Sequence, residues 1–381
     1  MRTQTLASLI ERHGGVIQTG PFGSQLHQRD YVEEGVPVVM PKDIVKGVID
    51  ESGVARISEE KAALLSRHVL KAGNIVFPRR GEIRKCALIT ESQEGFLCGT
   101  GCIKIELPTR IYSPRFLYYY LGLRPVVEWL ERNAVGTTML NLSTAILSGL
   151  NIPDIALEVQ NRISDVLWAY DVLIQNNRRR IQLLEQAARL LYKEWFVRLR
   201  FPGHERVKII DGVPEGWERW RLGDMATLNY GKALKEDDRI PGEYPVYGSS
   251  GIVGTHEKPL VAGPGIVVGR KGNVGTVYWS ETDFYPIDTV YFIGAKQSTL
   301  FLYYALAYTQ FLSTDVAVPG LNRDFAHSRK LLVPPRKLGS IFEETVVPIH
   351  KQIQNLTRFN SVLARSRDLL LPRLMNGAIA V

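Results

Sequence analysis

Cysteine is scarce in this chain: Cys86, Cys98 and Cys102 are the whole set in 381 residues. Three thiols without paired spacing offer no disulfide framework and suit a reducing compartment. Cys98 and Cys102 form a C-x-x-x-C, but no second pair and no neighbouring histidine completes a tetrahedral zinc site. The expectation is buried, apolar thiols and no metal. Long hydrophobic runs are missing as well. No stretch reaches the ~18 apolar residues that would span a bilayer. The opening MRTQTLASLIERHGG has no apolar segment followed by a small-residue cleavage site. These absences point to a cytoplasmic protein that does not enter a membrane.

The constellations of common enzymes are absent too. In IVVGRKGNVGTVYW, Ile266 to Trp279, the glycines Gly269, Gly272 and Gly275 fit neither G-x-x-x-x-G-K-[ST] nor G-x-G-x-x-G. They precede a strand-like TVYW instead of opening a helix, which argues against a nucleotide-cradling loop. Asp154 and Glu158 lie four residues apart at the start of a helical pattern, where carboxylates complement the helix dipole. They do not make a nuclease cluster. The seven histidines are scattered, and no Asn- or Asp-Pro-Pro-aromatic loop of an amino-methyltransferase occurs. Ser24, Ser249 and Ser250 sit in glycine-bearing loops without a G-x-S-x-G elbow. Binding is therefore the leading class: the chain is expected to be no enzyme and to hold no cofactor of its own.

What is present is positive charge. The formal net charge is +8, and no basic tail or low-complexity block carries it. The surplus must lie on folded surfaces, for which a polyanion is the natural partner. A chain of this length is too long for one ordinary core and suggests two domains.

An internal repeat supports that division. IVFPRRG, Ile75 to Gly81, matches IVVGRKG, Ile266 to Gly272, and Leu70-Lys-Ala-Gly73 matches Leu260-Val-Ala-Gly263. Further on, Phe116-Leu-Tyr-Tyr-Tyr-Leu121 matches Phe301-Leu-Tyr-Tyr-Ala-Leu306. Leu140-Asn141 followed by Ile152-Pro153 matches Leu321-Asn322 followed by Val333-Pro334, both at an offset of 181 residues. The order is kept and the offset drifts, as expected of a duplication with insertions and deletions.

After each proline the pattern changes to a long helical period. In the first copy the apolar series is Val159, Ile163, Val166, Tyr170, Leu173, Asn177, Ile181, Leu184, Ala188, Leu191 and Trp195. In the second it is Phe342, Val346, Ile349, Ile353, Leu356, Asn360, Leu363, Arg367, Leu370 and Leu374. Both are coiled-coil seams, and at an offset of 179 Ile163 falls on Phe342 and Leu184 on Leu363. A helix from about Glu158 to Arg200 is ~60 Å long at the α-helical rise. Its stripe needs a partner, and the second copy is the comparable one, so antiparallel pairing is expected. Phe201-Pro-Gly203 should stop the first helix, and Pro348 should kink the second or delay its start. The fold expected is α+β: two β-rich heads at 1–153 and 204–335, separated by two long antiparallel coiled-coil helices at 154–203 and 336–381. A rigid spacer between two basic heads suits duplex DNA, whose major groove recurs every ~34 Å.

The heads place basic residues beside glycines, aromatics and small polar residues, which can reach base edges and phosphates. The DNA-contact candidates in the first head are Phe22, Ser24, Lys42, Arg79 and Arg80. In the second they are Lys232, Lys235, Tyr247, Ser249, Ser250, Arg270, Lys271, Asn322 and Arg323. Arg270 and Lys271 are read as a DNA-facing turn between two strands, with Arg79 and Arg80 as its twin.

Several of these stretches resemble the specificity subunits of type I restriction-modification systems. Pro214-Glu-Gly-Trp217 followed by Trp220-Arg-Leu-Gly-Asp224 is similar to the phrase that opens many such domains. Tyr244-Pro-Val-Tyr-Gly-Ser-Ser-Gly-Ile252, IVVGRKGNVG and Ile287-Asp-Thr-Val-Tyr291 resemble one subclass of target-recognition domain. Gly20-Pro-Phe-Gly-Ser24 and Val36-Pro-Val-Val-Met-Pro-Lys-Asp43 resemble another, and Glu158-Val-Gln160 resembles the start of the conserved spacer helix. The second copy departs from the pattern, with Ser340-Ile-Phe342 where a glutamine is expected. The resemblance implies a non-catalytic subunit in which each head reads one half of a two-part target in double-stranded DNA. It further implies two methyltransferase subunits as partners, with S-adenosylmethionine bound on them alone, and restriction subunits joining for cleavage. A methylation-only or related bipartite-site system is the nearest alternative, and a stand-alone nuclease a more distant one.

Overall fold

The computed structural model describes residues 2–45, 47–136, 140–309, 311 and 320–380. The chain forms two compact units, Met1–Asn176 with Phe359–Val381, and Asn177–Arg358. Each contains one head and parts of both long helices. Among the described residues no helix is long and apolar enough to cross a membrane.

Ile75–Pro78 and Gly265–Gly269 are continuous apolar runs, the pattern of a strand covered on both faces, and every residue in them is buried. Each lies inside a four-stranded antiparallel sheet. In the first head the order is Val16–Thr19, Cys102–Glu106, Ile75–Pro78, Ala87–Leu88. In the second it is Asn229–Tyr230, Val290–Ile293, Gly265–Gly269, Val277–Ser280. A second sheet follows in each head, with the parallel pair Val36–Val39 and Leu97–Cys98 in one and Tyr244–Gly248 and Tyr285–Pro286 in the other. A short antiparallel ribbon closes each head: Thr3–Thr5 on Asn151–Pro153, and Glu218–Arg221 on Lys330–Val333.

These registers correct the repeat alignment. Thr5 pairs with Asn151 as Arg221 pairs with Lys330, and Leu6 N–H bonds Leu150 O as Leu222 N–H bonds Arg329 O. The offset here is thus 179, not 181, and it matches that of the helices. Ile152 corresponds to Leu331, and the expected pairing of Pro153 with Pro334 was a two-residue slip onto a similar dipeptide.

The first long helix is Leu157–Tyr192, continued by a π-helical turn at Lys193–Val197. Leu199, with φ +57°, ends it just ahead of Phe201-Pro-Gly203. The second runs Arg336–Met375 without a break, so Pro348 neither delays nor ends it. Proline removes one helical hydrogen bond; here the exposed Pro348 is flanked by Phe342 and Val346 on one side and Leu356 on the other, all buried, which hold the helix together. In the first unit Asp171 meets Arg367. In the second Tyr192 meets Phe342, ring to ring at 6.0 Å. Within the first unit Ile163 and Leu167 share a core with Leu374 while Asp171, further along, meets Arg367, so the helical segments there pack antiparallel.

The second seam is buried or half-buried throughout as read. The first is not. Val166 and Leu173 are 38% and 45% exposed, while their neighbours Leu167 and Ile174 are 0% and 4% exposed. The three cysteines are buried and free. Burial pushes the thiols of Cys86 and Cys98 up to about 12, which removes thiolate reactivity.

Candidate nucleic-acid interface

The strand Gly265–Gly269 delivers Arg270 to a turn built on backbone bonds. The amides of Arg270 and Lys271 both donate to Thr289 O, at 2.9 and 3.1 Å, and Leu321 N–H donates to Arg270 O at 2.8 Å. Gly272 takes φ +76°, a left-handed conformation that suits glycine, so the turn folds back beside Ser249. The first head repeats the design. Arg79 N–H donates to Gly101 O at 2.6 Å, Leu142 N–H donates to Arg79 O at 2.8 Å, and Gly81 takes φ +81°. Lys271 bridges Gly320 as Arg80 bridges Asn141. Both basic pairs are therefore strand-end turns held in one frame.

Other candidates converge on the same edge of the second head. Tyr230, at the end of the edge strand Asn229–Tyr230 and 49% exposed, lies under two guanidinium groups: Arg270 at 4.9 Å and Arg323 at 5.1 Å from its ring centre. A cation over an aromatic face contributes about 0.5–2 kcal/mol, the more so as water is excluded. The buried Tyr291 supports the platform, edge-on to Tyr230 at 5.1 Å with its hydroxyl on Leu321 O at 2.9 Å. Neither guanidinium has a carboxylate partner among the described residues. Arg270 Nη1 donates to Asp288 O at 3.2 Å, whereas the Nε of Arg323 is buried with no hydrogen-bond partner.

Asn322 serves the helix Arg323–Ser328 as N-cap, its Oδ1 accepting from the amides of Asp324 and Phe325. Ser249 and the exposed Ser250 form the hairpin tip between Tyr244–Gly248 and Gly251–His256, and Ser249 O accepts from Thr276 Oγ1 at 2.7 Å. Lys232 is exposed two residues past Tyr230. Lys235 is exposed but abuts the acidic turn Glu236–Asp238.

Tyr247 corrects its reading as a surface contact. It is 6% exposed, packs edge-on to Phe284 at 5.8 Å, and its carbonyl accepts from Ile287 N–H. Val39 occupies the same place in the first head, its carbonyl accepting from Gly99 N–H. Both belong to the core.

In the first head, Phe22 is 58% exposed on the loop that also carries the exposed Ser24. Thr100 Oγ1 secures that loop by donating to Pro21 O at 2.9 Å. Lys42 is exposed three residues past Val39, as Ser250 is three past Tyr247. Arg79 is half-buried, with its Nε unpartnered. The register places Thr19 where the second head has Tyr230. The 179-residue offset places Thr144 where it has Arg323. Among the described residues the aromatic platform thus belongs to the second head alone. In the sequence Tyr230 stands out only as a neighbour of Lys232, and a tyrosine ending a short strand before Gly-Lys is the signal it offers.

A concavity of 720 Å³ lies at the start of the second long helix and is lined by Trp220, Phe301, Pro334, Gly339 and Glu344 among others. Gln160 occupies the equivalent place in the first head, where Gly339 stands in the second. It is 1% exposed, accepts from Ser113 N–H and donates to Ile155 O, both at 2.8 Å. In the second head Glu343, one turn further along, accepts from Phe301 N–H at 2.7 Å. Each head thus ties the start of a short helix to its long helix, with different side chains.

Comparison with known proteins shows the family of the chain. The family model for the type I restriction modification DNA specificity domain matches residues 26–186 and 214–337. The type I restriction enzyme MjaIX specificity subunit of Methanocaldococcus jannaschii is 23% identical, over 93% of this chain and 89% of its own. The HindI specificity subunit of Haemophilus influenzae is also 23% identical, over 82% and 88%. In fold, the crystal structure of the type I restriction-modification S subunit from M. genitalium superposes with a TM-score of 0.60 at 20% identity, covering 98% of this chain and 95% of that one. With two matched segments that together span most of its length, the chain belongs to the type I restriction-modification DNA specificity family.

Proposed function

We propose that each head reads one half of a bipartite DNA target for a type I restriction-modification complex. The observation that carries this reading is the duplicated strand-end turn: Arg270 and Arg79 are held by equivalent backbone bonds, and each is followed by a second cation, Lys271 or Arg80, in an equivalent bridge. Duplicated cations in one frame suit a ligand that itself repeats, and a DNA duplex offers phosphates and base edges at each turn. The long helices set the gap between the half-sites. Two methyltransferase subunits dock on the repeated halves, since two copies of one partner need two equivalent surfaces. S-adenosylmethionine binds to those subunits, this chain contributes no catalytic group, and restriction subunits complete the cleaving form. The site of action is the cytoplasm.

Methylome sequencing of a host with and without this gene tests the reading. Loss of one bipartite methylated motif is the expected result, and an unchanged methylome refutes it. Metal-dependent DNA cleavage by the purified chain alone would favour a nuclease instead.

A further inference from the structure

We infer that Arg323 reads a guanine in the half-site of the second head, oriented for that contact by Tyr230. The inference rests on the DNA-recognition reading above and assigns one base contact within it. Two guanidinium groups share the Tyr230 ring, yet they are not equivalent. Arg270 is part of the frame: its amide, its carbonyl and its Nη1 all make backbone hydrogen bonds. Arg323 is stacked, but its Nε is sheltered from water without an acceptor. Among the described residues no hydrogen bond or ion pair engages its Nη1 or Nη2, so with Nε buried it is this pair that remains to meet a ligand. A guanidinium is a planar fork of five donors that keeps its charge, so such a group is built to receive two acceptors side by side.

Two chemistries offer that pair: the O6 and N7 edge of guanine, and two oxygens of a phosphate. The surroundings favour guanine. Lys232 and Lys271 are exposed on the same edge and suffice for phosphates, which any mobile cation can reach. Fixing the plane of a guanidinium against a ring adds orientation, which a base edge requires. The first head lacks this device, with Thr19 and Thr144 at the equivalent positions. The two half-sites must then be read by different chemistry.

The test uses the complete complex and a panel of duplexes in which each base pair of both half-sites is replaced in turn. With the native chain, replacing one G·C pair in the second head's half should weaken binding about 5- to 150-fold. Arg323→Ala should abolish that discrimination while preference at all other positions persists and the salt slope is unchanged. Arg323→Lys, which keeps the charge, should lose it too. Tyr230→Phe should preserve discrimination and Tyr230→Leu should reduce it at the same base pair. A uniform loss across all sequences with the salt slope lowered by about one would make Arg323 a phosphate contact and overturn the proposal. Unchanged discrimination overturns it equally. If the native complex prefers no base at any position, the DNA-recognition reading itself fails, a result distinct from either. Retained preference in the first head's half shows that a variant has folded.

Discussion

Arg270 and Lys271 are adjacent yet face different conditions: the first is half-buried against Tyr230, the second exposed. Truncating both should weaken DNA binding strongly and lower the slope of log affinity against log salt by about one to two, since each phosphate contact contributes about 0.9. Salt titrations of native and Arg270→Ala/Lys271→Ala complexes measure this; equal slopes would place the pair away from DNA. The pair was legible because cations recur at one place in two otherwise divergent copies. Tyr247 was not. Its burial comes from parallel pairing with Tyr285–Pro286, a strand some 40 residues away, and nothing in Tyr244-Pro-Val-Tyr-Gly-Ser-Ser250 announces that neighbour.

Among the elements, the two long helices differ in how openly they declare their inner face. The second has adjacent apolar pairs such as Val346-Val347 and Val362-Leu363, but only one member of each falls on the alternating steps of four and three, and that member is the buried one. The first has adjacent apolar pairs at Val166-Leu167 and Leu173-Ile174, where spacing alone cannot choose. Packing against the first head's core selects Leu167, a contact invisible in the local sequence. The same helices carry a polar exchange that only the 179-residue offset reveals. In the first unit, Asp171 bonds the Tyr119 hydroxyl at 2.5 Å and pairs with Arg367. In the second, His350 takes the place of Asp171, bonding the Tyr304 hydroxyl at 2.7 Å, and Ala188 takes the place of Arg367. Both members of the Asp171–Arg367 pair are largely shielded. Removing Arg367 alone leaves a sheltered carboxylate and should cost about 3–5 kcal/mol. Denaturation of Arg367→Met, Asp171→Asn and the double variant checks this: the double should be less destabilised than the sum of the singles.

For the molecule as a whole, the exchange makes stability depend on pH. Burial pushes the His350 pKa down to about 4, against 6.5 in an unfolded chain. Between those values the unfolded state binds a proton that the folded state refuses, so stability rises with pH across the window. The contribution is fully present above 6.5 and is lost as pH falls toward 4. Thermal unfolding at pH 5 and pH 7.5 should show a smaller drop in His350→Gln than in the native chain. Identical drops would mean that His350 titrates normally. At this scale the sequence was most informative: the duplication, the two β-rich heads and the paired helices were legible because each repeats. Sheet order and the extension of the helices' 179-residue register to the closing strands were not, because strand pairing joins segments distant in the chain.

The hydrogen bonds that frame each strand-end turn come from the main chain, whereas the groups offered to a ligand are side chains at the rim. Thr19 against Tyr230 and Thr144 against Arg323 are exchanges made on equivalent backbone positions. If the rim makes the contacts proposed above, what holds a head together and what it recognises are encoded by different atoms. A rim residue can change while its scaffold stays intact, and either half of the target can be rewritten without the other. The addresses open to such a chain multiply across its two heads instead of adding.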